Sequence, residues 1–188
     1  MKNKRDAEFK AGEHSATSEV FHYGIAKSQL GIILAATTEK GVVSVLIGED
    51  PASVTEDLRK RFPNAHLVRD DKATKDLTTQ VAEYISSPHE NLDFNLDVRG
   101  TAFQKKVWQA VRKLSVGQTT TYSALARAIG SPRAIRAVAN ACSINNLAFA
   151  IPCHRVLHKN RALSFGHQRG NDLQRAMVAR EEPLKKEQ

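Results

Sequence analysis

The amino-acid sequence predicts an α+β protein in two parts, with strands early in the chain and helices late. Apolar segments of strand length fill residues 20–48, and apolar side chains recur at helical spacing beyond residue 100. The charge also changes sign near the middle: residues 1–98 carry 12 Lys and Arg against 16 Asp and Glu, whereas residues 99–188 carry 16 against 4. A basic half favours contact with a polyanion such as nucleic acid, although a solvated basic face would give the same count.

The composition is that of an ordinary globular chain, with 41% hydrophobic and 26% charged residues among 188. A chain of this length can fold without disulfides or metal. The polar start lacks the apolar core of a signal peptide, and no later segment is apolar enough to span a bilayer, so we expect a cytoplasmic protein with no membrane partner. Two cysteines, Cys142 and Cys153, are too few for a disulfide framework and indicate reduced thiols.

The first part of the chain predicts a sheet followed by helices. Three apolar segments separated by turn residues indicate an antiparallel meander over residues 20–48. Asp50 and Pro51 match an N-cap followed by proline at the first helical position, which opens a helix that ends near Pro63. A second helix is predicted over residues 73–87.

The boundary between the two parts is predicted at Gly100, after a short strand over residues 92–98. An amphipathic helix over residues 102–114 follows, and its apolar face is predicted to lie in the core. The apolar face consists of Phe103, Val107, Trp108, Val111 and Leu114. The predicted units are a polar tail, an α/β domain and a C-terminal domain, at 1–19, 20–99 and 100–188.

A helix-turn-helix is predicted where two short helical segments flank the break Gly130-Ser131-Pro132. Pro132 suits the first turn of the second helix, where its missing N–H costs nothing. That helix carries Arg136 among small residues such as Ala137, which would let its backbone approach DNA closely. Unrelated helical pairs share this pattern, so the expectation of DNA binding rests on its combination with the local positive charge.

Cys153 is the candidate nucleophile because of its setting, Ile-Pro-Cys-His-Arg-Val. Cysteine reacts as its thiolate, so a reactive cysteine needs a neighbouring base or positive charge that lowers its pKa. His154 can take the proton, directly or through a water, Arg155 is expected to add positive charge nearby, and Pro152 is expected to hold the sulfur in an exposed turn. The alternative is burial as a small hydrophobe, which suits the plain helical setting of Cys142.

Four sequence blocks resemble, in order, the O6-alkylguanine-DNA alkyltransferase family: RGTAFQKKVWQAV, TTTYSALARAIG, RAIRAVANAC and NNLAFAIPCHRV. The resemblance covers about residues 20–182 and implies an N-terminal α/β unit similar to ribonuclease H and a helical C-terminal unit with a winged helix-turn-helix. It implies a suicide repair protein, whose Cys153 attacks the alkyl carbon on O6 of guanine in double-stranded DNA and keeps the group as a thioether. O4-alkylthymine is a further candidate substrate. A monomer without cofactor or metal is expected.

The resemblance also assigns roles to the side chains around Cys153. His154 matches the base that takes the thiol proton through a water, and Glu181 matches the glutamate that completes the relay and orients the imidazole. The alternative for Glu181 is an exposed acid at a helix end, since Glu182 is adjacent. Asn145 matches the residue that bonds backbone groups of the turn before the cysteine.

The expected DNA contacts follow from the same resemblance, because the target base must be flipped out of the duplex to be reached. Arg136 matches the finger that fills the vacated stack, with Ala137 beside it, and Tyr122 matches the residue that crowds the target phosphate and faces the guanine. Val156 and Ser164 are expected to line the guanine edge. The sequence departs from the family after this serine, where a phenylalanine stands in place of glycine in a segment one residue longer.

Two other functions stay open at this point. One is a binding module, either a helix-turn-helix regulator or an alkyltransferase-like protein that flags the lesion without removing it. Such lesion-flagging proteins lack the nucleophile, and transfer would add one methyl to the intact mass whereas binding adds nothing. The other is a zinc site from Cys153, His154, His158 and His167, whose spacing matches no recognised pattern.

Overall fold

A four-stranded sheet forms the N-terminal half in the computed structural model, which describes residues 19–159 and 168–182. Three strands form an antiparallel meander, and a short fourth strand lies parallel to the first, in the order β3-β2-β1-β4. The strands are β1 (Val20–Ser28), β2 (Gly31–Thr38), β3 (Gly41–Gly48) and β4 (His66–Arg69). The predicted meander is confirmed, whereas β4 escapes prediction because four residues are too few to show an alternating pattern.

Two helices pack on opposite faces of this sheet, α1 (Pro51–Arg61) and α2 (Lys75–Ser86). Both predicted helices are therefore present. The first begins as predicted, because Oδ1 of Asp50 accepts hydrogen bonds of 2.9 Å from the backbone N–H groups of Ala52 and Ser53. A proline at the first helical position then loses no hydrogen bond.

The predicted strand over residues 92–98 is wrong. This segment makes only an isolated bridge, between Leu96 and Val42 of β3, with two backbone hydrogen bonds of 2.8 Å at Val42. Farther along β3, residues 146–148 pair with Val45 through hydrogen bonds of 2.7 and 3.0 Å. Two segments thus pair with the same edge of β3. Residues 92–98 therefore have too few backbone partners on that edge to form a regular strand.

Helices dominate the C-terminal half. Its elements are α3 (Ala102–Arg112), β5 (Thr120–Thr121), α4 (Tyr122–Ala128), α5 (Ile135–Ser143), a 3-10 turn (Cys153–Arg155), β6 (Val156–Leu157) and α6 (Gln168–Glu181). The predicted amphipathic helix is present as α3, and Trp108 on it donates from Nε1 to the carbonyl of Ala141 at 2.9 Å. This bond ties α3 to α5. The short strands β5 and β6 pair in parallel next to the 3-10 turn.

The two helices predicted on either side of the Gly130-Ser131-Pro132 break are present as α4 and α5, but Pro132 does not lie in the second helix. Pro132 lies in the turn, and α5 begins at Ile135. Gly130 has a φ of 71°, in the left-handed region that favours glycine. The N–H of Ser131 then bonds back to the carbonyl of Ala126 at 2.9 Å. The chain completes this turn before the helix begins, and the fixed φ of proline suits the turn itself.

One apolar core extends across both halves of the chain. It joins buried residues of β2, β3 and α2 to those of α3, α4, α5 and α6. Its members include Ile33, Val45, Val81, Ile85, Trp108, Val111, Leu125, Val138 and Met177. A second, smaller cluster lies between the other sheet face and α1.

Within residues 19–159 and 168–182, no helix is long and apolar enough to cross a membrane.

Candidate active site

Cys153 lies at the start of the 3-10 turn, at the end of a tightly folded loop. The loop is closed by backbone hydrogen bonds from Ile151 to Leu147 at 2.9 Å and from Cys153 to Ile151 at 2.7 Å. Phe149 within it has a φ of 67°, an unfavourable conformation for a bulky residue that persists only where the surroundings enforce it. Cys153 itself is buried, not held in an exposed turn as the sequence suggested.

Asn145 holds this loop through its side-chain amide. Its Oδ1 accepts from the N–H of Leu147 at 2.9 Å, and its Nδ2 donates to the carbonyl of Ile151 at 2.9 Å. The same Nδ2 lies 3.5 Å from Sγ of Cys153. Asn145 thus lies between α5 and the cysteine, bonded to backbone groups of the loop and with a donor directed at the sulfur.

His154, which follows Cys153 in the 3-10 turn, forms a buried pair with Glu181. Nε2 of His154 lies 2.8 Å from Oε1 of Glu181, which is delivered by the last turn of α6. Glu181 is only 1% exposed, whereas the neighbouring Glu182 is exposed. The alternative that Glu181 is an exposed acid at a helix end is thus wrong.

Arg155 does not place a free positive charge beside the sulfur, contrary to expectation. Its fully buried guanidinium forms an ion pair with Glu181, through Nε to Oε2 at 2.8 Å and Nη2 to Oε1 at 3.0 Å. Nη1 donates to Oδ1 of Asn91 at 2.7 Å and to the carbonyl of Leu114 at 2.6 Å. A buried charge requires such partners, and these bonds direct the cation to the carboxylate and away from Cys153.

Two further donors bond to the Glu181 carboxylate. The hydroxyl of Tyr84, from α2, donates to Oε1 at 2.9 Å, and the N–H of Gly117 donates to Oε2 at 3.2 Å. Oε1 therefore accepts from Tyr84, His154 and Arg155, and Oε2 accepts from Arg155 and Gly117. Five hydrogen bonds to one carboxylate strongly favour its ionised form.

The pKa values of the relay follow from this burial and bonding. Burial raises the pKa of Glu181, but the hydrogen bonds from His154 and Arg155 outweigh it and hold the pKa well below its usual range. Burial lowers the pKa of His154, opposed by the hydrogen bond to Glu181. The imidazole is therefore neutral at pH 7, with its Nε2–H donating to the carboxylate and its Nδ1 lone pair available to accept a proton.

The thiol of Cys153 has a raised pKa, not the lowered one that the sequence suggested. Its hydrogen bond with Cys142 raises the pKa most, burial raises it further, and the contact with Asn145 lowers it. The resting nucleophile is thus a protonated thiol. Transfer consequently requires a base at the moment of reaction, which is the part that a neutral His154 can take.

A cavity of about 180 Å³ lies beside the two cysteines. Cys142, expected to be structural, is buried and lines this cavity together with Cys153, Asn145 and His154. Tyr122 and Val156 do not line it, so this space is not by itself the expected guanine pocket.

The residues expected to contact DNA occupy two different environments. Tyr122 is buried at the start of α4 with its ring 5.3 Å from that of His158, and Val156 is buried in β6. Arg136 and Ala137 lie on the exposed side of α5. The structure does not bring these last two into the buried cluster, and Ser164 lies outside the described residues.

The zinc alternative finds no support in the described part of the chain, where no three His, Cys, Asp or Glu side chains lie close enough to hold a metal ion. His158 contacts the Tyr122 ring, and His167 lies outside the described residues.

Four residues of the site were missed by sequence reasoning. They are Tyr84, Asn91, Gly117 and Gln174, the last donating from Nε2 to the carbonyls of His154 and Val156 at 3.2 and 3.1 Å. None belongs to a motif, and Tyr84 lies 97 positions from its partner Glu181. Only the folded chain brings them together.

The chain is similar to known proteins over most of its length. Residues 102–183 match the family described as 6-O-methylguanine DNA methyltransferase, DNA binding domain. The chain is 41% identical over 173 residues to the bifunctional transcriptional activator/DNA repair enzyme Ada of Escherichia coli, covering 89% of this chain and 47% of Ada. The chain thus spans about half the length of the first such relatives.

Relatives of similar length are also found. The inducible methylated-DNA–protein-cysteine methyltransferase of Bacillus subtilis is 35% identical over 76% of this chain and 80% of its own. The crystal structure of Mycobacterium tuberculosis O6-methylguanine methyltransferase has a TM-score of 0.72 and 28% identity, covering 87% of this chain and 93% of that one. The predicted α+β class is confirmed by this match. The chain belongs to the O6-alkylguanine-DNA alkyltransferase family, the methylated-DNA–protein-cysteine methyltransferases.

Proposed function

We propose that this protein repairs O6-alkylguanine in double-stranded DNA by moving the alkyl group irreversibly to Cys153, once per molecule. The observation that carries the proposal is the surroundings of Cys153: Nδ2 of Asn145 lies 3.5 Å from its sulfur, and His154, which lines the same cavity, is paired with the buried Glu181. The names of the relatives support it, as does a solved complex with DNA of the Mycobacterium tuberculosis protein, at 28% identity and a TM-score of 0.72.

The reaction is a single displacement at the alkyl carbon. The bond between Sγ and this carbon forms as the bond from carbon to O6 breaks, and the electron pair of the broken bond leaves with the guanine. The thiol proton passes to Nδ1 of His154, directly or through a water, and the leaving guanine regains one proton, so that charge balances. Ionised Glu181 stabilises the imidazolium that forms in between. No cofactor is required, because nucleophile, base and orienting acid all belong to the chain.

Base flipping supplies the substrate, because the alkyl carbon is out of reach in a stacked duplex. We propose α5 as the DNA-contacting helix, with Arg136 filling the vacated position and Ala137 allowing close approach. Their exposure on one side of α5 supports this. Tyr122 is proposed to crowd the phosphate of the target nucleotide, with Val156 and Ser164 at the guanine edge.

The finer description of the molecule is proposed on the same basis. We propose a ribonuclease H-like unit at 20–99 and a winged helix-turn-helix unit at 100–188, supported by the β1–β4 sheet and by the α4–α5 pair beside β5 and β6. We further propose a monomer that accepts O4-alkylthymine as a second substrate. A cytoplasmic location is proposed because the nucleophile must stay reduced.

Intact mass after mixing with duplex DNA containing O6-methylguanine tests the function. One added methyl per chain, with no further turnover, is expected, since water does not displace a thioether at neutral pH. A protein that only flags lesions would bind the duplex and gain no mass. Peptide mapping then assigns the methyl to one of the two cysteines.

A further inference from the structure

Tyr84 reaches the relay from the N-terminal half of the chain. It lies on α2, is 4% exposed, and donates from its hydroxyl to Oε1 of Glu181 at 2.9 Å. The same hydroxyl accepts from Nη2 of Arg155 at 2.9 Å. A single hydroxyl thus uses its donor on the carboxylate and its acceptor on the guanidinium, and it bonds both members of the buried ion pair.

Packing holds the Tyr84 ring in this position. Its centroid lies 6.1 Å from that of Phe149, and Phe149 lies 6.1 Å from the imidazole of His154. Phe149 is the residue held at a φ of 67° in the loop before Cys153. The rings of Tyr84, Phe149 and His154 therefore form a continuous row of contacts from α2 to the 3-10 turn. Movement of Tyr84 would disturb both its hydrogen bonds and its contact with Phe149.

Oε1 of Glu181 is the oxygen that the Tyr84 hydroxyl shares with His154 and Arg155. It accepts from Nε2 of His154 at 2.8 Å, from Tyr84 at 2.9 Å and from Nη2 of Arg155 at 3.0 Å. Hydrogen bonds to one oxygen compete for its electron density, and each restricts where that oxygen lies. Loss of the Tyr84 bond therefore frees the carboxylate to rotate and strengthens its remaining hold on the imidazole proton.

We propose that Tyr84 is a positioning residue for alkyl transfer. Its hydroxyl fixes the position of Oε1 of Glu181, so that this oxygen orients the imidazole of His154. The same hydrogen bond also limits how strongly Glu181 raises the basicity of His154. The inference rests on the proposed function. Among residues 19–159 and 168–182, the titratable and charged groups around His154 are Cys153 and Arg155 from the same turn, Cys142 from α5, Glu181 from α6 and Tyr84 from α2. Tyr84 is the member that comes from the N-terminal half.

Single-turnover transfer by Tyr84→Phe, measured with duplex O6-methylguanine from about pH 5 to 9, tests the proposal. The rate at pH 7 is expected to fall about tenfold, since a buried hydrogen bond to a charged group is lost. The acid limb of the pH profile is expected to move to higher pH, because the freed carboxylate stabilises the protonated imidazole. Tyr23→Phe on β1 is the matched control and should keep both rate and profile.

Two measurements separate this role from a loss of folding. Affinity for undamaged duplex should be unchanged in Tyr84→Phe, because the DNA-contacting helix is elsewhere. A fluorinated tyrosine at position 84 keeps the shape and strengthens the donor, so it should shift the acid limb to lower pH. Movement of the limb in the same direction by both changes would overturn the proposal.

The outcomes also distinguish this proposal from the function on which it rests. If the wild-type chain forms no thioether, the proposed function fails. If the wild-type chain transfers the methyl and Tyr84→Phe matches it in rate and pH profile, only the positioning role is wrong.

Discussion

Residues 20–98 and residues 99–182 differ in charge, in secondary structure and in what they contribute to the site. The C-terminal region is basic and supplies the thiol, the imidazole and the carboxylate, all within the 3-10 turn and α6. The N-terminal region is acidic and supplies groups that hold the site in place. Tyr84 and Asn91 bond to the ion pair of Arg155 and Glu181, and the edge of β3 pairs with residues 146–148. Part of the support for the C-terminal groups thus comes from the N-terminal half of the chain.

This division explains why the two regions share a core. A carboxylate with five donors and a fully buried arginine is stable only where every partner is fixed in place. Tyr84 lies on α2 and Asn91 on the segment after it, far from the turn in sequence. Packing of α2 against the C-terminal helices holds them at hydrogen-bonding distance.

The largest expected effect is on the nucleophile itself. Cys153→Ala should abolish alkyl transfer while retaining affinity for duplex DNA, because no other described group has a base and a carboxylate so arranged. Cys142→Ala should still transfer one equivalent. Intact mass and peptide mapping measure both, and a methyl found on Cys142 would contradict the assignment.

Loss of the carboxylate should affect chemistry and stability together. Glu181→Gln leaves Arg155 buried without its counter-ion, which typically costs about 3–5 kcal/mol of unfolding free energy. The transfer rate should fall about a hundredfold or more, since the base is no longer oriented. Denaturant unfolding and single-turnover kinetics provide the two measurements.

The exposed pair on the same helix is the control for that variant. Asp172 and Arg175 are 3.5 Å apart and largely exposed, so Asp172→Asn should change stability by less than about 1 kcal/mol. Equal loss of unfolding free energy in Asp172→Asn and Glu181→Gln would show that the buried ion pair of Arg155 and Glu181 contributes no more to stability than the exposed one.

Arg136→Ala separates DNA handling from chemistry in the C-terminal region. Repair of duplex DNA should slow by about tenfold or more, whereas reaction with the free modified base should change little, because a free base needs no unstacking. Lys105→Ala, an exposed basic residue on α3, serves as the control for loss of charge alone. Equal slowing with both substrates would place Arg136 in the chemistry or the fold instead.

Acid should destabilise the protein in two steps. His154 has a lowered pKa in the folded state, so as pH falls below about 6.5 the unfolded chain takes up this proton first and stability is lost. Glu181, also lowered, adds a second loss below about pH 4.3. His154→Gln should remove the first step from the pH dependence of unfolding free energy, and His66→Gln on the surface should retain it.

The smallest effect is expected from an exposed support. Arg61 on α1 donates to Oδ1 of Asn146 at 2.8 Å, next to the loop that carries the nucleophile. Because the contact is solvated, Arg61→Ala should cost less than about 1 kcal/mol and leave the transfer rate unchanged. A rate loss comparable to that of Tyr84→Phe would show that burial is not what distinguishes the two supports.

Prediction from sequence succeeded where local pattern decides structure. The meander, the cap at Asp50 and the helix over 102–114 follow from periodicity, turn residues and capping chemistry, which act over a few neighbouring positions. The strand prediction for residues 92–98 was wrong because pairing with β3 depends on which other segment also bonds to that edge. The prediction that Pro132 lies in the first turn of the second helix was wrong because a tight turn and the first turn of a helix suit proline equally well.

For the site, the sequence alone predicted four groups that the structure brings together: Cys153 and His154 by their motif, and Glu181 and Asn145 by the family resemblance. Their protonation was decided only by the tertiary structure. The hydrogen bond with Cys142 and burial raise the pKa of the Cys153 thiol, and the guanidinium of Arg155 is paired with Glu181. Burial and hydrogen bonding between distant segments are properties of the packed chain, and the contact of Tyr84 with Glu181 across 97 positions is one that no local pattern encodes.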